Sequence, residues 1–210
     1  MKSVDDIYLY CFTPGPFSKG NDPLAMVEAQ IRGGADVIQL REKQLSKRER
    51  LELGLKVRRL TRTHDVLFIV NDDVDLALIL DADGVHLGQN DIPIQFARPL
   101  MRDKIIGVST HSLDQVREAV QGGADYIGFG PIFDTKTKED TEPIVGLNLL
   151  SEVRHICPIP YVAIGGITRD NVSSVIDAGC NRVAIISDIL LADNIEERCR
   201  DIKSMLITKR

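Results

Sequence analysis

Apolar positions along this chain follow two alternating rhythms. Short apolar runs of strand length stand at 7–13, 37–40, 67–70, 84–87, 105–108, 126–130, 161–164 and 182–186. Between them lie longer segments at 23–33, 47–62, 73–80, 94–101, 113–122, 147–154 and 169–178, with a last one at 195–207. In these, apolar residues recur at helical spacing. Strands that alternate strictly with helices predict a parallel sheet with right-handed crossovers. No Ser/Gly-rich linker or break in composition divides the eight units. Closing on themselves, they give an α/β fold: one (β/α)8 TIM barrel over residues 1–210, at the short end of the size range. An open doubly wound sheet is the alternative, but it rarely alternates so evenly.

A faint repeat supports the barrel. GADVIQL (34–40), DADGVHL (81–87), GADYIGF (123–129) and GCNRVAI (179–185) share one form: a small residue and Asp or Asn ending a helix, then an apolar strand. Gly or Asn at such a point suits the left-handed turn out of a helix. The four segments fall on the second, fourth, sixth and eighth strands, as expected of a barrel built from βαβα quarters.

Composition narrows the field. With 43% hydrophobic and 27% charged residues the chain is ordinary for a globular protein, and its net charge of −5 argues against a general nucleic-acid binder. No apolar run approaches the roughly 18 residues of a membrane span. The opening MKSVDD has no apolar signal core, so a soluble, cytoplasmic protein is expected. The four cysteines are scattered without a C-x-x-C pair, and reduced thiols are expected in place of a disulfide or structural metal.

A barrel of this kind places its active site at the C-terminal ends of the strands. Reading those ends, AIGGITRDN (163–171) sets two glycines between a strand and a helix, and AIISD (184–188) sets Ser187 at the start of a short helix. Loops after the last two strands commonly bind phosphate in barrels, so a phosphate monoester site is expected there. Arg41, Lys43 and Lys138 suggest a second anion site. Asp72 and Asp91 are hard oxygen ligands on the same rim, and two carboxylates with phosphate oxygens are a usual setting for Mg²⁺. Asp73 is assigned to capping the following helix. No Ser-His-Asp arrangement or reactive cysteine stands out. His86, within a strand, and His111, opening a helix, are weaker candidates for general bases. A diphosphate on Mg²⁺ at one side and a monophosphate at the other suggest the joining of two phosphorylated small molecules with loss of pyrophosphate.

These residues resemble the thiamine-phosphate synthase (thiamine-phosphate pyrophosphorylase) family. QLREK, NDD, VHLGQND, GVSTH, GPIFDTKTK, IGGI and IIS occur in order at consecutive strand ends, and the resemblance spans the chain. It implies Mg²⁺-dependent condensation of hydroxymethylpyrimidine diphosphate with a thiazole phosphate, by loss of pyrophosphate and attack of the thiazole nitrogen. It further implies a pyrimidine diphosphate site of Gln39, Leu40, Arg41, Glu42, Lys43, Asn71, Ser109 and Lys138. Arg41, Lys43, Ser109 and Lys138 would be catalytic within that set. Thr135, Lys136, Thr137, Gly166, Ile186 and Ser187 would take the thiazole phosphate, and Asp72 and Asp91 the metal. Three departures from the family pattern concern the thiazole side and loop shape: Asp134 where proline is common, Lys136 between two threonines, and YCFTP in the first strand.

A thiazole tautomerase paralogue or a non-catalytic thiazole-phosphate sensor would not need the full cation–carboxylate set. Nothing in the motifs decides between a monomer and a homo-oligomer. Strand alternation adds one expectation: Val37, Gln39 and Arg41 face inward, while Leu40 packs outward and Glu42 serves as a structural partner for a neighbouring cation.

Overall fold

A computed structural model describes residues 3–135 and 143–208. Eight parallel strands form a closed barrel in chain order: β1 Leu9–Phe12, β2 Val37–Leu40, β3 Leu67–Asn71, β4 Gly84–Leu87, β5 Ile105–Thr110, β6 Tyr126–Phe129, β7 Tyr161–Ile164 and β8 Val183–Ala184. The expected (β/α)8 fold is the one found. The helices are α1 Pro23–Arg32, α2 Lys47–Thr63, α3 Val74–Ile79, α4 Ile94–Met101, α5 Leu113–Gln121, α6 Gly146–Ile156, α7 Val172–Asp177, α8 Ser187–Leu190 and α9 Ile195–Thr208.

Period-two alternation sorts the strand side chains into two layers. Tyr10, Phe12, Val37, Leu67, Ile69, Tyr126, Val162 and Ala184 fill the barrel interior. Their neighbours Leu9, Ile38, Leu40, Phe68, Val85, Ile106 and Ile127 pack outward against the helices. Both faces are thus covered, which is why the strands read as near-continuous apolar runs.

Several boundaries differ from expectation, three of them for local reasons. β1 starts late because Ser3 and Asp6 cap each other around a short 3-10 turn at Val4–Asp6. α7 starts late because the Asn171 side chain holds residues 166–171 in a loop, accepting from the Thr168 N–H (2.8 Å) and donating to the Gly166 carbonyl (2.9 Å). β5 runs two residues further than its apolar pattern: Ser109 pairs with Gly128 and Thr110 with Phe129. The Thr110 hydroxyl also donates to the Gly128 carbonyl (3.0 Å). Ser109 therefore projects from a rigid strand.

The sequence repeat has a structural meaning. Gly34, Asp81, Gly123 and Gly179 all adopt positive φ, between 47° and 97°, as the chain leaves a helix. Two residues later, at the foot of an even strand, an aspartate reaches across to the odd strand before it. Asp36 accepts from the Tyr8 and Leu9 N–H groups, Asp83 from Phe68 and Asp125 from Ile106. Each carboxylate also meets a cation from a surrounding helix: Lys203, Arg58 and Arg98 respectively. The fourth copy has Asn181 at this place.

Candidate active site

The C-terminal ends of the strands open into a cavity, and the sequence of each strand end decides what faces it. Gln39 and Arg41 lie on the inward parity of β2 and line the cavity, with Asn71 from β3, Ser109 from β5 and Thr135 from the loop after β6. Gly166, Ile186 and Ser187, from the ends of β7 and β8, line the same cavity. Burial lowers the proton affinity of the Arg41 guanidinium, while the charges of Asp72 and Glu42 oppose that effect.

Lys43 sits at the rim, with its side chain 62% exposed and its Nζ 3.8 Å from Asp72 Oδ2. Asp72 follows β3 in the left-handed region, at φ 64°, which aspartate tolerates better than most residues. Its carboxyl faces that of Asp91 within hydrogen-bonding reach. Burial first, then Asp91, push the Asp72 carboxyl up to about 6, against the pull of Lys43 and Arg41. Asp91 is oriented by the Gly88 N–H, which donates to its Oδ2 at 2.6 Å. Two carboxylates pressed together beside two cations fit a divalent ion, which would relieve their repulsion. Among the described residues no third carboxylate, histidine or cysteine joins them in a metal-binding group.

The double glycine of IGGI is shaped by a neighbour as well as by any ligand. Gly165 and Gly166 have φ of 97° and 63°. A Cβ on Gly166 would lie 2.4 Å from the Asp134 carbonyl oxygen and 2.7 Å from Phe133 Cβ. The loops after β6 and β7 touch backbone to backbone, and only glycine fits.

Several expected roles change. Leu40 packs outward as anticipated, its Cδ2 3.0 Å from where a Cβ on Gly54 of α2 would stand, so its side chain does not reach a diphosphate. Among the described residues Glu42 is not part of the cavity lining and makes no salt bridge. It is buried, and its Oε1 accepts from the Gly15 N–H at 3.0 Å, tying the loop after β2 to the one after β1. Asp73 occupies the N-cap position of α3 but makes no side-chain cap; its carboxylate pairs with Arg50 and, at 3.5 Å, with Lys47. Salt bridging to α2 competes successfully for the oxygens that would have capped α3. Asp91 does not cap α4 either, whose N-cap is Pro93. Lys136, Thr137 and Lys138 lie outside the described residues.

Other side chains of the cavity were hidden in apolar runs. Tyr10, Phe12, His86 and Tyr126 line it, and Gln89 donates to the Ser109 carbonyl at 2.6 Å. The strand departure YCFTP thus supplies two aromatic walls. Inward parity on β1, β4 and β6 was the available signal. The His86 ring nitrogens contact Tyr126 Oη and Ser109 Oγ, each at 2.9 Å. His111 Nδ1 is 2.5 Å from the Gly130 carbonyl oxygen, a contact that requires the nitrogen to donate.

The sequence model of the thiamine monophosphate synthase family matches residues 9–189. The chain belongs to this family. A thiamine-phosphate synthase of Halalkalibacterium halodurans is 46% identical over 202 residues, covering 96% of each chain. The Chloroflexus aurantiacus thiamine-phosphate synthase is 45% identical over 203 residues, covering 97% of this chain and 94% of its own. Among solved structures, a thiamine phosphate pyrophosphorylase of Pyrococcus furiosus superposes with a TM-score of 0.89 at 36% identity, covering 98% of each chain. The family match therefore runs from β1 into α8. Among the described residues no helix is long and apolar enough to cross a membrane.

Proposed function

We propose that this protein is a thiamine-phosphate synthase, joining hydroxymethylpyrimidine diphosphate to a thiazole phosphate with release of pyrophosphate. The observation that supports the reading is one cavity lined by polar strand ends from both halves of the barrel, which we assign to two anions. Gln39, Arg41, Asn71 and Ser109 come from the ends of β2, β3 and β5, and Gly166, Ile186 and Ser187 from those of β7 and β8. The Asp72–Asp91 pair and Lys43 mark the rim of the first group. Near-identical coverage by relatives of that name supports it further.

Asp72 and Asp91 would hold Mg²⁺, which supplies charge neutralisation to the diphosphate when bound. Arg41 and Lys43 bind the diphosphate oxygens and draw negative charge toward the leaving group. Ser109, fixed on β5, stands by the carbon–oxygen bond that breaks. That bond's electron pair departs with pyrophosphate, and the pyrimidine stabilises the cation left behind. The thiazole nitrogen then forms the new carbon–nitrogen bond with its lone pair. It carries no proton, so no general base is required, consistent with His86 and His111 being engaged by protein groups. Ser187 and the loop at Gly166 receive the thiazole phosphate and hold that nitrogen in line.

The test is to mix the purified protein with both substrates and Mg²⁺ and to follow thiamine phosphate by mass. Product that disappears on chelation and returns with added Mg²⁺ is the expected result. Absence of product while the thiazole phosphate still binds would overturn the reading.

A further inference from the structure

Across the cavity floor three side chains, Tyr10, Tyr126 and His86, bridge Gln39 to Ser109. Gln39 Nε2 lies 2.7 Å from Tyr10 Oη, and Tyr10 Oη 2.9 Å from Tyr126 Oη. Tyr126 Oη is 2.9 Å from His86 Nδ1, and His86 Nε2 is 2.9 Å from Ser109 Oγ. The path joins strands β2, β1, β6, β4 and β5, and so connects two groups that the proposed reaction uses on one substrate.

One direction of this path uses every donor along it. An amide nitrogen can only donate, so Tyr10 Oη accepts from Gln39. Burial holds both tyrosines well above the usual phenol range, so each stays neutral and brings one hydrogen. Each tyrosine has one hydrogen to place, and the sense that uses both along the path has Tyr10 donating to Tyr126 and Tyr126 to His86 Nδ1. Nδ1 is then the bare nitrogen, and the ring carries its proton on Nε2, which donates to Ser109 Oγ. With Oγ already accepting, the serine's own hydrogen is left to point into the cavity.

The barrel has been cleared for this path. The inward position of β5 beside Tyr126 is Gly107, where a Cβ would lie 2.2 Å from the tyrosine's Cζ and 2.5 Å from its Oη. The inward position of β6 beside Ser109 is Gly128, where a Cβ would press on His86 Cε1 at 3.3 Å. Two interior places that a packed barrel fills with side chains are left open for the phenol and the imidazole. Packing alone does not account for giving up both.

We propose that Tyr126, with Tyr10 and His86, is a positioning residue: the path carries one sense of hydrogen bonding from Gln39 and presents Ser109 as a hydrogen-bond donor to the cavity. This rests on the reading above, in which Ser109 stands by the departing diphosphate oxygen. A donor there meets the negative charge that builds on that oxygen as the bond breaks, and a hydroxyl locked in advance costs nothing to reorient. The effect belongs to the bond-breaking step, so it acts on kcat and leaves thiazole-phosphate binding alone.

Two measurements test it. The first is the tautomer of His86 in the ligand-free protein, read from two-bond couplings in ¹⁵N-histidine-labelled protein near pH 8 and assigned with His86→Gln. A proton on Nε2 is expected; a proton on Nδ1 reverses the path and overturns the proposal. The second is Tyr126→Phe, checked for unchanged thermal unfolding. It should lower kcat about tenfold or more, keep KM for the thiazole phosphate within about twofold, and release the His86 tautomer into a mixture. A Tyr126→Phe enzyme with wild-type kcat overturns the role even if the tautomer moves. Failure of the reaction reading is separable, because then the wild-type protein makes no thiamine phosphate, whatever the tautomer. If Tyr126→Phe does not fold, the wild-type tautomer still decides the direction.

Discussion

At the scale of single residues, the Asp72–Asp91 pair carries the sharpest expectation. Without a cation between them the two carboxylates share space at a cost, and Asp72 is pushed up to about 6 by burial and by Asp91. Asp91→Ala should raise the Mg²⁺ concentration needed for half-maximal turnover tenfold or more, with thiazole-phosphate affinity unchanged in a direct binding titration. An unaltered Mg²⁺ dependence would remove Asp91 from the metal site. Ser187→Asp should do the reverse, weakening the thiazole phosphate by charge repulsion while KM for the pyrimidine diphosphate stays put. Equal affinity in that variant would move the second phosphate elsewhere. Such residues were legible in the sequence because each follows a strand, where chemistry is expected. The tie from Glu42 to the Gly15 N–H of the β1 loop was not legible, because a backbone group leaves no signature in residue type. Tyr10 and Tyr126 were missed because an inward aromatic in an apolar run looks the same whether it fills a core or floors a cavity.

At the scale of elements, the repeated aspartates act as ties between neighbouring strands. Asp83 accepts from the Phe68 N–H at 2.8 Å and takes both Nη atoms of Arg58 at 2.8 and 2.9 Å. Asp83→Ala leaves a largely buried guanidinium and a strand N–H without their acceptor. It should cost about 3 kcal/mol, read as a lower urea midpoint at unchanged slope. Asp36 adds a pH dependence. Burial would raise its carboxyl, but the Lys203 ammonium and the Leu9 and Tyr8 N–H groups together hold it below the usual range. The folded chain thus binds this proton less readily than the unfolded chain. The stabilisation is present above the unfolded value of about 3.9 and is lost as pH falls through the lower folded value. Asp36→Asn should therefore be less stable than the parent at pH 7, with the gap closing on acidification; a constant gap down to pH 2 would contradict this. The sequence displayed the repeat, yet the ties it makes run between strands, and only pairing in space shows which N–H each carboxylate meets.

For the whole molecule, the closing seam is between β1 and β8, where Leu9 pairs with Val183 and Tyr10 with Ala184. α9 covers that seam. It buries Cys199, Ile202 and Leu206, and it packs so closely on α1 that a Cβ at Gly33 would lie 2.4 Å from Cys199 Cβ. Lys203 of α9 supplies the cation for Asp36. Removing residues 195–210 should abolish a single cooperative unfolding transition in far-UV circular dichroism, because apolar surface on α1 and β1 is uncovered. A truncated chain that still melts in one steep step would show that the seam holds without α9. The sequence by itself determined the alternation of strands and helices, hence a parallel barrel, and the order in which polar strand ends meet one rim. Those follow from local periodicity, which acts between residues near in the chain. Tertiary structure alone decided that Ser109 extends β5, that Glu42 serves a loop, and that Gln39, Tyr10, Tyr126, His86 and Ser109 touch in that order. Such contacts join five strands up to 116 residues apart, and only closure of the barrel brings them within hydrogen-bonding distance.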